Sequence, residues 1–237
     1  MMPMLLADKD VDFSIHHLIG YQFMGQTVYI TTSHVCMLII IVAIMILALI
    51  ARRKIMRAEE IPTGLQNVIE LVVETLQEFV SSSMGEHSKK YVNYIGTLFL
   101  FVLLSNISGL VGLRPPTADY GTTLCLALIT FFMIQYNNFK CNKLGAITGL
   151  FQPLWFLFPI NLIGEIATPV SMSLRLFGNV MAGTVMMALF YGLLPIFAKI
   201  GIPAALHVYF DLFSGAIQAY VFAMLTMVFV TQKIEGD

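Results

Sequence analysis

The apolar run from Leu144 to Ala198 limits most what this chain can fold into, because it carries only two formal charges, Glu165 and Arg175. A helix crosses the hydrocarbon core of a bilayer with about 20 apolar residues, so this run either crosses twice or lies strongly tilted. Of the 237 residues, 58% are hydrophobic and 11% are charged, whereas about a quarter are charged in soluble proteins. These features predict an all-α polytopic membrane protein, and the net charge of −1 gives no indication of nucleic-acid binding.

Arg175 is the residue of this run that is hardest to bury. A guanidinium stays protonated, and burial at the bilayer centre costs at least about 2.5–3.5 kcal/mol unless water or a partner meets it. Ser171 and Asn179 lie one helical turn before and after it, so the three side chains are expected on one helix face. Alternatively, a turn near Glu165–Pro169 brings the arginine to the membrane surface, where its side chain snorkels.

The amino-terminal part of the chain predicts a solvated tail and then a transmembrane helix. Residues 1–27 are polar and mixed, and residues 28–50 are uncharged, so we expect an outer tail over 1–27 and a helix over 28–51. The basic cluster Arg52–Lys54 follows directly, against a single Lys9 before the helix. Because cytoplasmic loops are rich in Lys and Arg, this asymmetry predicts an amino terminus outside and, with an odd number of crossings, a cytoplasmic carboxyl terminus.

Residues 61–82 show helical periodicity with two unlike faces. Leu76 and Phe79 belong to the apolar face, whereas Glu74 and Glu78 belong to the polar one. The pattern predicts an amphipathic in-plane helix at the cytoplasmic interface that supports the bundle. Its acidic polar face argues against attraction to anionic lipid.

Residues 91–113 and 120–139 predict a transmembrane hairpin, which Arg114 and two prolines separate. Asn106 and Asp119 are the polar side chains of interest here. They either line water, or they form an interhelical hydrogen bond and a helix cap.

The last predicted helix, 203–232, carries one polar stripe along an apolar surface. Its members, spaced by four, three and four residues, are His207, Asp211, Ser214 and Gln218. A carboxylate and an imidazole aligned inside a membrane are typical of a proton relay, since both exchange protons and hold water. The alternative is a buried Asp–His pair that fixes packing.

Five motifs in order resemble the a subunit of the rotary F-type ATP synthase, and the resemblance as a whole extends over nearly all of residues 28–232. They are Ile-Pro-Thr-Gly-Leu-Gln at 61–66, Leu-Leu-Ser-Asn at 103–106, Pro-Thr-Ala-Asp at 116–119 with Thr122 and Thr123, Ser-Leu-Arg-Leu-Phe-Gly-Asn at 173–179, and Phe-Asp-Leu-Phe-Ser-Gly-Ala-Ile-Gln-Ala at 210–219.

The resemblance implies an ion-translocating stator in the bacterial cytoplasmic membrane. Such a subunit faces the c-subunit ring, contacts the b-subunit peripheral stalk and lipid, and forms two offset half-channels that couple ion flow to rotation. It is not an enzyme by itself, because ATP chemistry belongs to other subunits, and this chain has no phosphate loop. No cofactor or metal is expected, since the three cysteines lack ligand spacing. A proton is the expected coupling ion, although the ring carboxylate's surroundings largely decide between H⁺ and Na⁺.

The resemblance also assigns roles to single positions. Arg175 matches the family's essential arginine, Gln218 the glutamine opposite it, and Asp211 an ionisable residue of the outer half-channel. The other half-channel candidates are Asn106 and Asp119 on the outer route, Ser171 and Asn179 beside the arginine, Glu165 with Ser171 on the inner route, and Ser214 and His207 from the polar stripe. Two departures from the family pattern are Thr168 and Thr184, and His207 has no clear counterpart.

Family members have two long helices that are strongly tilted and curve around the ring, which predicts such a pair over 148–197 and 203–232 in a single membrane domain of residues 1–237. Two other interpretations remain open from the residues alone. One is a small secondary transporter with a midplane site at Glu165, Arg175 and Asp211, although no internal repeat is evident. The other is a structural membrane scaffold.

Overall fold

The computed structural model describes residues 17–23, 26–56, 64–143, 145–148, 155–193 and 202–235. It begins with an antiparallel hairpin of β1, His17–Phe23, and β2, Gln26–Thr31, in which Gly20 pairs with Tyr29. This differs from the predicted tail over 1–27 and from a helix beginning at 28. The reason is local, because the Thr-Val-Tyr-Ile-Thr stretch of β2 is rich in β-branched and aromatic residues, which favour strands.

Eight helices and one π-helical segment follow among the described residues, joined by short 3₁₀ turns. They are α1, Thr32–Ile55; α2, Leu65–Met84; α3, Ser88–Ile107; α4, Tyr120–Asn142; the single turn α5, Gly145–Thr148; α6, Phe158–Leu193; α7, Ile202–His207; the π segment, Val208–Ser214; and α8, Gly215–Glu235.

Helix α3 ends at Ile107, before the predicted residue 113. A 3₁₀ turn, Ser108–Val111, follows, and Gly112 then takes the left-handed conformation with φ of 75°. That conformation is strained for most side chains but open to glycine, so the chain leaves the helix there.

The bundle has two chemically different ends. At one end, here named the basic end, Lys90 Nζ lies 3.4 Å from Asn137 Oδ1, and the Asn142 amide donates to the Lys233 carbonyl at 3.1 Å. Arg52–Lys54, at the carboxyl end of α1, continue the same charge pattern. At the other end, here named the cavity end, the end of α3 meets the start of α8. Glu165, near the start of α6, contacts Lys233, near the end of α8. Helices α6 and α8 therefore run in opposite directions between the two ends.

Helices α3, α4 and α8 supply the centre of the packing. Ile95, Ile134 and Met227 belong to a cluster nearer the basic end, and Val102 and Phe222 to a second cluster that includes residues of α6. Helix α1 is peripheral, as Leu38 and Leu47 are 62% and 58% exposed. Large exposed apolar side chains of this kind are expected to face lipid.

The apolar face predicted for residues 61–82 divides in α2. Leu76, Phe79 and Val80 are half-buried or buried against the bundle, whereas Val68 and Val72 are 56% and 47% exposed. The predicted face is therefore packed most fully in its carboxyl-terminal half, where α2 meets α3 and α8.

Four helical stretches among the described residues are long and apolar enough to cross a membrane: Thr32–Ile55, Gln66–Val111, Trp155–Gly192 and Ala205–Glu235. The second of them contains both α2 and α3. Helix α4, the fifth membrane-entering helix of the prediction, is not among them, because Thr130, Gln135, Asn137 and other polar residues lower its mean hydropathy.

Candidate functional site

Arg175 lies at the middle of α6, which continues unbroken through Pro169. At 1.5 Å per residue the arginine is about 27 Å from either end of the helix, so the predicted turn near Glu165–Pro169, which would let it snorkel, is absent. The side chain is exposed, as is Ser171 one turn earlier. No carboxylate of the described residues forms an ion pair with it.

Asn179 contacts the π segment. Its Oδ1 accepts a hydrogen bond of 2.8 Å from Ser214 Oγ in the π segment. The bond ties α6 to the π segment one turn beyond the arginine. Of the three residues predicted on one face, Ser171 and Arg175 are exposed, and Asn179 is half-buried against its partner.

Asp211 and His207 form a pair at the start of the last long helix. His207 Nδ1 lies 2.8 Å from Asp211 Oδ2, and the two side chains are 35% and 22% exposed. The Tyr191 ring of α6 lies 6.2 Å from the imidazole, between ring centres. The pair is therefore partly enclosed yet accessible, which suits groups that exchange protons or ions with water.

A cavity of about 550 Å³ opens beside this pair at the cavity end of the bundle. It brings together four of the predicted site residues, Asn106 of α3, Asn179 of α6, His207 of α7 and Asp211 of the π segment. The lining also contains residues that the sequence analysis missed or noted only as a departure: Thr32, Gly109, Arg114, Phe210 and Thr184. The segment after α3 and the start of α1 line the cavity because of the tertiary arrangement of the helices, and no local sequence pattern indicates this.

Asn106 is buried, and its amide bonds to protein on both sides. Its Nδ2 donates to the Gly215 carbonyl at 3.0 Å, and its Oδ1 accepts from Thr117 Oγ1 at 2.9 Å. The interhelical hydrogen bond, one of the two interpretations left open by the sequence, is present, and the residue also borders the cavity. Asp119 likewise caps α4, because its Oδ1 accepts from the Gly121 amide at 3.1 Å.

The π segment divides the predicted polar stripe among different surroundings. Asp211 meets the turn after α3, and Ser214 meets α6. Gln218 is 8% exposed, and its Nε2 has no hydrogen-bond partner among the described residues. A π-helical turn has a wider repeat than an α-helix, so spacings of three and four no longer mark one face.

Glu165 lies near the basic end, away from the cavity. Its Oε1 is 2.6 Å from Lys233 Nζ of α8, and its Oε2 accepts from Gln135 Nε2 of α4 at 2.5 Å. The carboxylate thus joins three helices through one ion pair and one amide hydrogen bond. No spacing in the sequence relates these three residues.

Comparisons with known proteins agree on one family. The sequence profile of the ATP synthase A chain matches residues 34–231. The sodium ion specific ATP synthase subunit a of Propionigenium modestum is 37% identical over 253 aligned positions, which cover 100% of this chain and 83% of the relative.

Two further relatives are more distant. The ATP synthase subunit a of Geobacter sulfurreducens is 35% identical over 83% of this chain and 85% of its own length, and that of Trichlorobacter lovleyi is 33% identical over 83% and 84%. The family is one of membrane ion-translocating subunits that are not catalytic by themselves. On the profile match and on these identities, the chain belongs to the ATP synthase A chain family, the a subunits of the Fo sector of bacterial F-type ATP synthases.

Proposed function

We propose that this chain is the stator that carries the coupling ion between the two sides of the membrane and the carboxylates of a c-subunit ring. Two offset half-channels, one on each side, would make rotation of the ring the only complete route. The b-subunit peripheral stalk and the remaining synthase subunits would hold the stator and perform the ATP chemistry.

The observation that carries this proposal is the unpaired guanidinium of Arg175 at the middle of α6. An arginine at that depth needs a carboxylate or water, and this chain offers no carboxylate among its described residues. A partner subunit with an ionisable carboxylate at mid-membrane would supply it. The fixed positive charge would favour ion release from that carboxylate and block leakage between the half-channels.

The distribution of basic residues gives the orientation that we propose. Arg52–Lys54, Lys90 and Lys140 share the basic end, which by the positive-inside rule would be cytoplasmic. The amino terminus would then lie outside and the carboxyl terminus inside, in a bacterial cytoplasmic membrane. The cavity beside Asp211 would open to the outside, as the outer half-channel.

The lengths of the helices support a tilted arrangement. Helix α6 has 36 residues and is about 54 Å long, against a hydrocarbon core of about 30 Å. We propose that α6 and the segment from Ile202 to Glu235 lie tilted along the ring, that α3 and α4 form the transmembrane hairpin, and that α2 lies near the cytoplasmic interface.

Each candidate residue has a place in this scheme. Asp211 and His207 would relay the ion in the outer half-channel, with Asn179 on its path towards Arg175 and Ser214 beside that path as the hydrogen-bond partner of Asn179. Gln218 would lie opposite Arg175. Asn106 and Asp119 would border the outer route, and Ser171 and Glu165 would border the inner one.

We propose the proton as the coupling ion, since an imidazole hydrogen-bonded to a carboxylate at the cavity suits proton relay. Sodium is the second candidate, because the Propionigenium modestum relative carries the description sodium ion specific. Purified enzyme in sodium-free vesicles discriminates between them. Proton pumping without added Na⁺ supports the first, and ATP-driven uptake of labelled Na⁺ that protonophores do not abolish supports the second.

The experiment that tests the main proposal is Arg175→Ala in the assembled enzyme. ATP-driven ion pumping into vesicles should fall by at least about a hundredfold, because one missing charge stabilisation of this kind costs several kcal/mol. Arg52→Ala, at the basic end, serves as the control and should keep pumping. Coupled pumping retained by Arg175→Ala would contradict the proposal.

A further inference from the structure

The carboxylate of Asp211 lies directly against the backbone of Gly109. A Cβ atom built on Gly109 would lie 3.2 Å from Asp211 Cγ, 3.3 Å from Oδ1 and 3.4 Å from Oδ2. The separations from Cγ and Oδ1 are tighter than ordinary van der Waals contact, which for carbon atoms is about 3.5–4.0 Å. Any side chain at position 109 would therefore press on these two atoms of the carboxyl group.

The same carboxylate is also held by a hydrogen bond. His207 Nδ1 lies 2.8 Å from its Oδ2, one helical turn away. The carboxyl group thus contacts both an imidazole and the turn at Gly109. Of the described residues that line the cavity, only Arg114, His207 and Asp211 carry ionisable side chains, so this contact involves the cavity's one carboxylate.

The turn that carries Gly109 has little room to move away. Ser108 Oγ donates to the Ser105 carbonyl at 2.7 Å, and the Gly112 amide donates to the Gly109 carbonyl at 3.0 Å. Asn106, three residues before Gly109, is tied to Gly215 and Thr117. An added methyl group at position 109 would consequently displace the Asp211 side chain rather than the turn.

We propose that Gly109 is a positioning residue for ion translocation. By lacking a side chain it sets the orientation of the Asp211 carboxylate and so the affinity of the cavity for the coupling ion. This inference rests on the proposed function, because it takes Asp211 to bind the ion on its way to the ring. Gly109 itself contacts no ion.

The test uses the assembled enzyme in vesicles with a set membrane potential. The rate of ATP synthesis is measured against the concentration of the coupling ion on the cavity side, as pH or as Na⁺. Gly109→Ala should shift the half-maximal concentration about three- to tenfold while assembly and the maximal rate stay near their original values, since small displacements of a reacting group have large effects. Gly96→Ala is the control within α3, because its Cβ would meet only Leu76 Cδ1 at 3.8 Å.

A second pair of variants separates this role from a general packing effect. Asp211→Ala removes the carboxylate, so adding Gly109→Ala to it should change assembly and the residual rate by less than about twofold if the two residues act through one contact. If Gly109→Ala lowered the rate or the assembly equally with Asp211 present and with Asp211→Ala, the turn would need glycine for its own backbone. That result would overturn the inference.

The outcome is also distinct from failure of the proposed function. Coupled pumping retained by Arg175→Ala would remove the stator proposal itself. If Arg175→Ala lost pumping as expected and Gly109→Ala left the ion dependence unshifted, only the positioning role of Gly109 would be overturned.

Discussion

Asp211 and Glu165 are the carboxylates with basic partners among the residues that the structure describes. They lie near opposite ends of the bundle and are held in different ways. Asp211 bonds to His207 one turn away on its own helical segment, beside an open cavity. Glu165 bonds to Lys233 and Gln135 on two other helices. A pair along one helical segment does not connect neighbouring helices, whereas a pair between helices ties them together.

Asp211 is therefore suited to exchange of the coupling ion, and Glu165 is suited to holding helices together. The Asp211–His207 pair borders the cavity, where water or an ion can reach it, while the Glu165 carboxylate is held by a lysine and an amide from two other helices. We therefore expect changes at Asp211 to alter ion flow first and changes at Glu165 to alter assembly first.

The largest effect is expected from Asp211→Asn. Because the amide fills the same space but cannot exchange a proton or carry a charge, ion flow through the assembled enzyme should fall by at least about tenfold. Pumping by membrane vesicles measures this, and the amount of assembled complex is the control. A loss of assembly with unchanged pumping per complex would contradict the assignment of Asp211 to exchange.

The next effect is expected from Glu165→Ala, which leaves Lys233 without its partner and Gln135 without its acceptor. Since the ion pair is partly exposed, the loss should be about 1–2 kcal/mol of stability, seen as a lower thermal midpoint of the detergent-solubilised complex.

The charge exchange Glu165→Lys with Lys233→Glu sharpens this test. The double variant should recover part of the stability that either single change loses, because the attraction between α6 and α8 is restored. If Glu165→Ala instead abolished pumping in fully stable complexes, the role of Glu165 at the inner ion route would outweigh its role in joining the helices, and the expected order of effects would be wrong.

A smaller effect is expected from His207→Gln. The glutamine side chain can still hydrogen-bond the Asp211 carboxylate but does not titrate near neutral pH, so pumping should fall by about two- to fivefold, with a changed pH profile if protons are the coupling ion. An unchanged rate and pH profile would show that His207 only supports packing.

The smallest effect is expected from Ser214→Ala. It removes the hydrogen bond to Asn179 that joins the π segment to α6, which should cost about 0.5–1.5 kcal/mol of stability. Pumping per assembled complex should change little. A pumping defect as large as that of Asp211→Asn would instead place Ser214 on the ion path.

Much of the bundle could be predicted from the sequence because hydropathy and helical periodicity are local signals. The elements α1, α3, α4, α6 and α8 lie within or near their predicted ranges, and the capping and interhelical alternatives for Asp119 and Asn106 were already recognised. The hairpin of β1 and β2 was missed, since its strands follow a polar segment and lead straight into an apolar helix.

Less of the site could be predicted, since the π segment changes the helical repeat between His207 and Gln218. A stripe derived from α-helical spacing therefore does not survive as one face. Gly109 gave no signal, because a glycine that matters through the space it leaves has no chemistry of its own to recognise.

The sequence by itself determined the membrane class, the isolated arginine and the order of the motifs, because these depend on composition and on neighbours along the chain. Only the tertiary structure decided that Asp211 meets Gly109, that Asn179 meets Ser214 and that Glu165 meets Lys233. Such contacts form between segments far apart in the chain, and the crossing and depth of packed helices, which no local spacing encodes, decide which side chains meet.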